Sequence, residues 1–266
     1  SLPLLISGIA GTANEFIDRQ LIKYLVPEGA MAQLGIYGAI TKIAVVMTLF
    51  TQMYRLAAEP FFLSNFRKEE FVESNAAALK YYVMVAMAIF LFIALFRDLF
   101  ALILGRDFRE GIFILPVVLG ANVLSGVWFN LSFWYKREEK TRFAIYVTFT
   151  GLLFTVVFNV VLVPRWGYYG AAWARLIAEG AMVALSYTLN RRYFPTPYQT
   201  GRIATYVAAG LALFAASELF ARHAGAPTAV QYVVNVLLIG IYCLYAVWRE
   251  HIDVRALAAA VVHRRR

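Results

Sequence analysis

Eight stretches of this sequence stay apolar for about 20 residues or more, and nothing else in it restricts the fold so strongly. They run about Leu2–Leu25, Leu34–Asn65, Leu79–Leu99, Gly111–Tyr135, Phe143–Val163, Tyr168–Leu189, Ile203–Phe220 and Val230–Trp248. About 20 apolar residues in a helix cross a hydrocarbon layer roughly 30 Å thick. Lipid offers no partner to a free backbone group, and runs this long are not barrel strands, so each predicts a transmembrane helix. The sequence therefore predicts an all-α integral membrane protein of eight spans with short connections and no separate soluble domain. Composition agrees. The chain is 61% hydrophobic and 15% charged, against about half and a quarter in soluble domains.

The net charge of +9 would suit nucleic acid if it formed a patch. It does not. Connections after the second, fourth, sixth and eighth runs hold Arg67, Lys68, Lys80, Lys136, Arg137, Lys140, Arg142, Arg191, Arg192, Arg202, Arg249, Arg255, Arg264, Arg265 and Arg266. The alternate connections hold only Arg97, Arg106, Arg109, Arg165 and Arg222. The positive-inside rule explains that asymmetry as topology, with both ends of the chain cytoplasmic, and removes the case for nucleic acid. The tail "HRRR" reads as a stop signal that also suits anionic headgroups. Cys243 lies in an apolar run and reads as a packing residue, since one cysteine supports neither an internal disulfide nor a thiolate cluster. An apolar start at Ser1, with no basic segment before it, reads as the C-terminal part of a longer protein.

Ionisable residues within a span normally face the bundle interior or a wet cavity. On a continuous second helix stepped at 100° per residue, Tyr37, Thr41, Thr48, Gln52, Arg55 and Glu59 share a stripe about 60° wide. Arg55 and Glu59 are four apart, at pairing distance. The pair alone fits either a self-neutralised structural contact or a cavity wall, and the length of the stripe favours the wall. Pro60 is placed to bend or loosen that end of the helix. The first span carries Asn14, Glu15, Asp18 and Arg19, with Glu15 and Arg19 at pairing spacing; residue-counted depth predicts an Asp18–Lys42 contact. Arg175 and Glu179 in the sixth span read first as a neutralised pair. Asn122, Asn130 and Asn159 read as interhelical hydrogen bonds, and Glu218 as an interfacial residue. "ALILGRDFREGIFILP" predicts an interfacial turn. In "PRWGYYGAAWA", Pro164 is expected to stop one helix and Gly167 to allow a tight turn before small residues that permit close packing.

Enzyme signatures are missing. His223, His251 and His263 fall in a loop or the tail, and no phosphate-binding glycine loop, metal-ligand cluster or acid–base set is present. No catalytic residue, metal or cofactor is expected. Transport needs only a wet cavity with charges and helices that rearrange.

"GIYGAITKIAVVMTLFTQMYRLAAEPFF", "FWYKREEKTRFAIY" and "VLVPRWGYYGAAWARLI" resemble, in order and spacing, bacterial polysaccharide flippases of the O-antigen type. These belong to the multidrug/oligosaccharidyl-lipid/polysaccharide exporter superfamily. The resemblance implies that residues 1–200 are the C-terminal six-helix lobe of a two-lobe transporter, 201–248 two additional helices and 249–266 a basic cytoplasmic tail. It implies alternating-access translocation of an undecaprenyl-pyrophosphate-linked oligosaccharide across the inner membrane of a bacterium, with an N-terminal lobe as partner. Arg19, Lys42, Gln52, Arg55 and Arg175 are then candidates for the cavity and substrate. Glu15, Asp18, Glu59 and Glu179 are candidates for coupling to a proton or sodium ion. A drug/cation antiporter of the same superfamily would favour carboxylates and aromatics in the cavity. A non-transporting membrane subunit or an enzyme of glycan assembly is the alternative from another class.

Overall fold

The computed structural model describes residues 17–65, 70–224 and 227–251, and among these there is no strand. Residues 17–25 are helical (α1). There follow α2 (Ala30–Ile43), α3 (Val45–Asn65), α4 (Phe71–Leu95), the short α5 (Arg97–Ala101), a 3-10 segment (Arg106–Ile114), α6 (Leu115–Leu131), α7 (Phe133–Arg137), α8 (Arg142–Tyr193), α9 (Thr200–Ala224) and α10 (Thr228–Glu250). Five helices are long and apolar enough to cross a membrane, or six if the bent pair α2–α3 is one span. The chain is thus all-α with multi-pass membrane character. Glu15, Asn14, Arg67, Lys68 and the tail beyond His251 lie outside the described residues.

Two breaks shape the bundle. The first separates α2 from α3 at Ala44 and bends them by 53°, so the second apolar run is not one straight helix. Pro60, expected to do the bending, sits inside α3, which continues to Asn65. Thr48 donates its hydroxyl to the Ala44 carbonyl at 3.3 Å, a back-bond of the kind that bends helices. The second break is in α8. Its 52 residues would extend roughly 78 Å if straight, against a hydrocarbon layer of about 30 Å. Gly167 divides it at φ 54°, ψ −134°, a left-handed φ that glycine adopts without penalty. The chain then doubles back. A Cβ added to Gly170 would fall 2.5 Å from the Leu162 carbonyl oxygen, whereas eight residues along a straight helix cover about 12 Å. A Cβ on Gly151 would overlap the Met182 side chain. Residues 162/170 and 151/182 thus register two antiparallel arms, and Ala171, Ala172, Ala174 and Ala178 on the second arm are buried. The turn falls at Gly167; Pro164 lies within the helical first arm.

The α6 helix packs against α8 and α4, and α9 and α10 dock as a hairpin on α4. Polar clasps hold that hairpin at both ends. Lys80 of α4 pairs with Glu250 of α10, both nearly inaccessible, and Glu250 also accepts from Tyr206 at 2.6 Å and faces Arg202 at 3.5 Å. Lys80 is therefore an interior residue, not part of a connection. At the opposite end Asn235 donates to the Leu95 carbonyl at 2.7 Å, Ser217 donates to Asn235 at 2.7 Å, and Arg97 pairs with Glu218 at 2.9 Å, so Glu218 is ion-paired. Between the clasps Tyr242 donates to the Met84 carbonyl at 3.0 Å. The start of α4 is tied to the loop before α9, where Asn75 donates to Tyr198 at 3.1 Å; burial pushes the Tyr198 hydroxyl far above the ordinary phenol range. Among the described residues, connections of the two alternating sets meet at different ends of the bundle. Arg137 stacks over Phe71 and Phe194 at one end, and the Gly167 turn and the 3-10 segment meet α2 at the other.

The hairpin makes a local test. Gly170→Ala is expected to destabilise the protein by about 1–3 kcal/mol through overpacking against backbone. Gly180→Ala, whose Cβ would meet only a Leu124 methyl at 3.9 Å, is expected to be neutral or slightly stabilising. Thermal unfolding of the two variants in detergent checks the difference.

Candidate functional site

Arg55, Arg175, Asp18 and Glu179 come together inside the bundle, although they belong to three separate apolar runs. Asp18 of α1 is 2% exposed. Its carboxylate accepts from the Asn159 amide at 3.0 Å and from the Tyr37 hydroxyl at 3.4 Å. Arg175, on the second arm of α8, lies within electrostatic reach of Tyr37, Asp18 and Glu179, and its Nη2 donates to Asn122 Oδ1 at 3.2 Å. The Asn122 amide in turn donates to Thr48 Oγ1 at 3.2 Å. One turn further along α6, Ser125 Oγ accepts from Arg55 Nη2 at 2.8 Å. The Arg55 guanidinium lies over the rings of Trp128 and Phe129, 5.6 and 4.9 Å from their centroids. Tyr82 of α4 closes the seam, bonded to Thr51 at 3.1 Å and donating to the Val123 carbonyl at 3.3 Å. A buried polar seam therefore runs from α1 and α2 through α8 and α6 to α3 and α4.

Four polar atoms in this seam are buried without a hydrogen-bond partner: Glu179 Oε2, Arg55 Nε, Trp128 Nε1 and Asn159 Oδ1. Glu179 is 8% exposed. The Trp128 indole is beside its carboxylate but outside hydrogen-bond geometry. A desolvated donor or acceptor left unmatched costs about 1–3 kcal/mol, more when charged, so these atoms mark where the seam is incomplete.

Several expected pairings are not made. Arg55 does not pair with Glu59. Glu59 instead pairs with Lys136 at 3.0 Å, and Lys136 sits over Phe129 and Phe133. Arg175 and Glu179 form no ion pair despite their spacing; the guanidinium is taken by Asn122. Asp18 is not in contact with Lys42, since the carboxylate is occupied by Asn159 and Tyr37. Lys42 lies at the α2–α3 bend on a groove of about 430 Å³ lined by Ile43, Phe100, Ile103 and Phe108. Tyr37 occupies the face of α2 that meets Asp18, and Lys42, five residues on, projects about 140° away from it. Arg19 donates to Thr41 at 3.4 Å and lines an exposed cavity of about 390 Å³ with Gln20, Lys23 and Met31. Gln52 is exposed on α3, while its neighbour Thr51 is buried against Tyr82. The stripe thus turns inward at Tyr37, Thr48 and Arg55, and Gln52 leaves it. The asparagines behave as read: Asn122, Asn159 and Asn130 make interhelical bonds, the last to Tyr54 at 2.6 Å. Tyr82, Ser125, Trp128 and Lys136 were not legible as members; the only sequence signal for Tyr82 is a hydroxyl in mid-span.

Among the described residues no group of three His, Cys, Asp or Glu side chains is arranged to hold a metal. In comparisons with known proteins, no family model and no curated protein matches the chain.

Asn122 is the test of this geometry. Asn122→Leu removes the acceptor of Arg175 and the donor to Thr48, and is expected to cost about 2–4 kcal/mol. Asn122→Asp keeps the acceptor and is expected to cost less. Chemical unfolding in detergent, with Asn130→Leu for comparison, checks the order.

Proposed function

We propose that the chain is the C-terminal lobe of a bacterial polysaccharide flippase. It moves an undecaprenyl-pyrophosphate-linked oligosaccharide across the inner membrane by alternating access against an N-terminal lobe. The observation that carries the reading is the gathering of Arg55 and Arg175 with Asp18 and Glu179 in a seam crossing a lipid-embedded bundle. Buried charge at such depth is costly, and the two orphaned donors beside it exceed what a closed structural network needs. Arg55 and Arg175 hold the pyrophosphate through charge-assisted bonds, and Asp18 and Glu179 accept the coupling proton or sodium ion.

On this reading the two arms of α8, the α2–α3 pair, α4, the 106–137 segment, α9 and α10 make seven spans, and the run ending in α1 is the eighth. Both ends of the chain are cytoplasmic, and the positive-inside asymmetry supports this. Exposed Lys42 and Gln52 share the outer side of α2 and α3 with exposed Leu49, Met53 and Leu56, a face suited to the other lobe. Arg19 and Lys23 give the adjoining cavity a cationic rim.

The test is substitution in the full-length protein. Arg55→Ala and Arg175→Ala are each expected to lower translocation tenfold or more, since a hydrogen bond to a charged group contributes about 1.5–3 kcal/mol. Arg55→Lys should retain part of the activity. Surface glycan, measured at matched membrane levels of protein, is the readout. Undiminished glycan in both alanine variants removes the seam from transport.

A further inference from the structure

Glu179 is surrounded by cations that do not reach for it. Arg55 comes from α3 and Arg175 from Glu179's own arm of α8, and both lie within electrostatic reach of the carboxyl group. Yet Arg55 donates to Ser125, Arg175 donates to Asn122, and Glu179 Oε2 is left without any partner. An ionised carboxylate buried in a low dielectric draws a nearby guanidinium into a bidentate pair, because leaving such a charge unpaired costs several kcal/mol. Two guanidinium groups that both choose neutral acceptors leave the carboxyl group in a setting that suits its uncharged form. The other groups facing this point do not alter the balance. Asp18 on α1 is held by Asn159 and Tyr37, Tyr37 on α2 and Tyr82 on α4 are neutral phenols, and α6 offers only the Trp128 indole, the Asn122 amide and the Ser125 hydroxyl.

We propose that Glu179 is the protonation switch of this seam, and that its carboxylate competes with an anionic headgroup for Arg55 and Arg175. This rests on the anion-binding role given to the two arginines above. With Glu179 protonated, the four charged side chains sum to one positive charge and both guanidinium groups are free to hold a phosphate oxygen. When the proton leaves to water, the carboxylate takes a guanidinium and the sum falls to zero. No bond other than O–H is made or broken. Proton binding and anion binding therefore favour one another, and by linkage each strengthens the other equally. Release of the headgroup and release of the proton become linked events.

Binding of farnesyl pyrophosphate to the full-length protein in detergent tests this. Calorimetry in buffers of different ionisation heat counts the protons exchanged. The wild type is expected to take up about one proton more than Glu179→Gln. Its affinity should fall up to tenfold per pH unit on the alkaline side. Glu179→Gln, a neutral mimic of the protonated acid, should bind across that range without that fall. Infrared difference spectra give a second readout: the carbonyl band of a protonated carboxyl at neutral pH, absent from Glu179→Gln. Equal proton uptake by the two proteins, or an unchanged carbonyl band, overturns the switch and leaves the anion site standing. Failure of both proteins to bind the probe overturns the anion site, and the switch with it.

Discussion

The hydrogen bond from Arg175 to Asn122 is the contact on which the interior depends. A guanidinium can only donate, so the Asn122 amide must turn its oxygen toward α8. Its nitrogen then has to face α3, where Thr48 supplies the acceptor. With one lone-pair direction occupied, the Thr48 hydroxyl sends its proton back to the Ala44 carbonyl, at the bend between α2 and α3. A single charge thus orients a chain of donors across three helices and ends at the kink. In water each of these links would be exchangeable at little cost. Inside a membrane the alternative is an unmatched polar group, and the direction of the whole chain follows from the one member that cannot reverse.

Such a chain needs backbones close together, and the hairpin of α8 provides this. Gly170 lets the arms meet backbone to backbone at Leu162, and Gly151 leaves room for the Met182 side chain, so the arms approach closely. Gly126 likewise makes room for the Tyr82 ring, which brings its hydroxyl to α6 carbonyls. Transmembrane helices gain nothing from hiding apolar surface from lipid, and their association comes from this kind of contact together with hydrogen bonds. The small residues and the polar seam are two parts of one packing solution.

Much of this architecture was legible in the sequence, for physical reasons that also explain the failures. Run length gave the helices because bilayer thickness sets it. Gly167 was legible as a turn because its left-handed backbone excludes most other residues. The bend at Ala44 was not, because alanine carries no such signal and the cause is a back-bond whose hydroxyl is oriented from another helix. Spacing of four residues suggested Arg55–Glu59 and Arg175–Glu179 pairs. On an isolated helix that spacing brings side chains together, but here Lys136, Ser125 and Asn122 compete from neighbouring helices and prevail. The Asp18–Lys42 contact failed because counting depth ignores rotation about the helix: Tyr37 faces Asp18, and Lys42 lies about 140° around α2 from it. Tyr82 and Trp128 were unread because an aromatic in an apolar run looks the same whether it faces lipid or a buried arginine.

The distribution of clasps separates what can move from what cannot. The α9–α10 hairpin is bonded to α4 at both ends and in the middle and to α5 through Arg97, so these helices are tied into one unit. Around the bend the bonds divide. α2 is held to the hairpin turn through Gln33, which accepts from the Tyr168 backbone N–H at 3.1 Å, and to the 3-10 segment through Gly35 and Gly111. α3 is held to α6 and α7 through Arg55 and Glu59. Between these groups stand the bend itself and the Arg175–Asn122–Thr48 chain. If the bundle changes shape, Ala44 is where the covalent path is softest. The charge state around Arg175 decides whether the noncovalent path across it holds. Glu179 lies one helical turn from that arginine, so the proposed switch would act on the joint and not on the clasped helices.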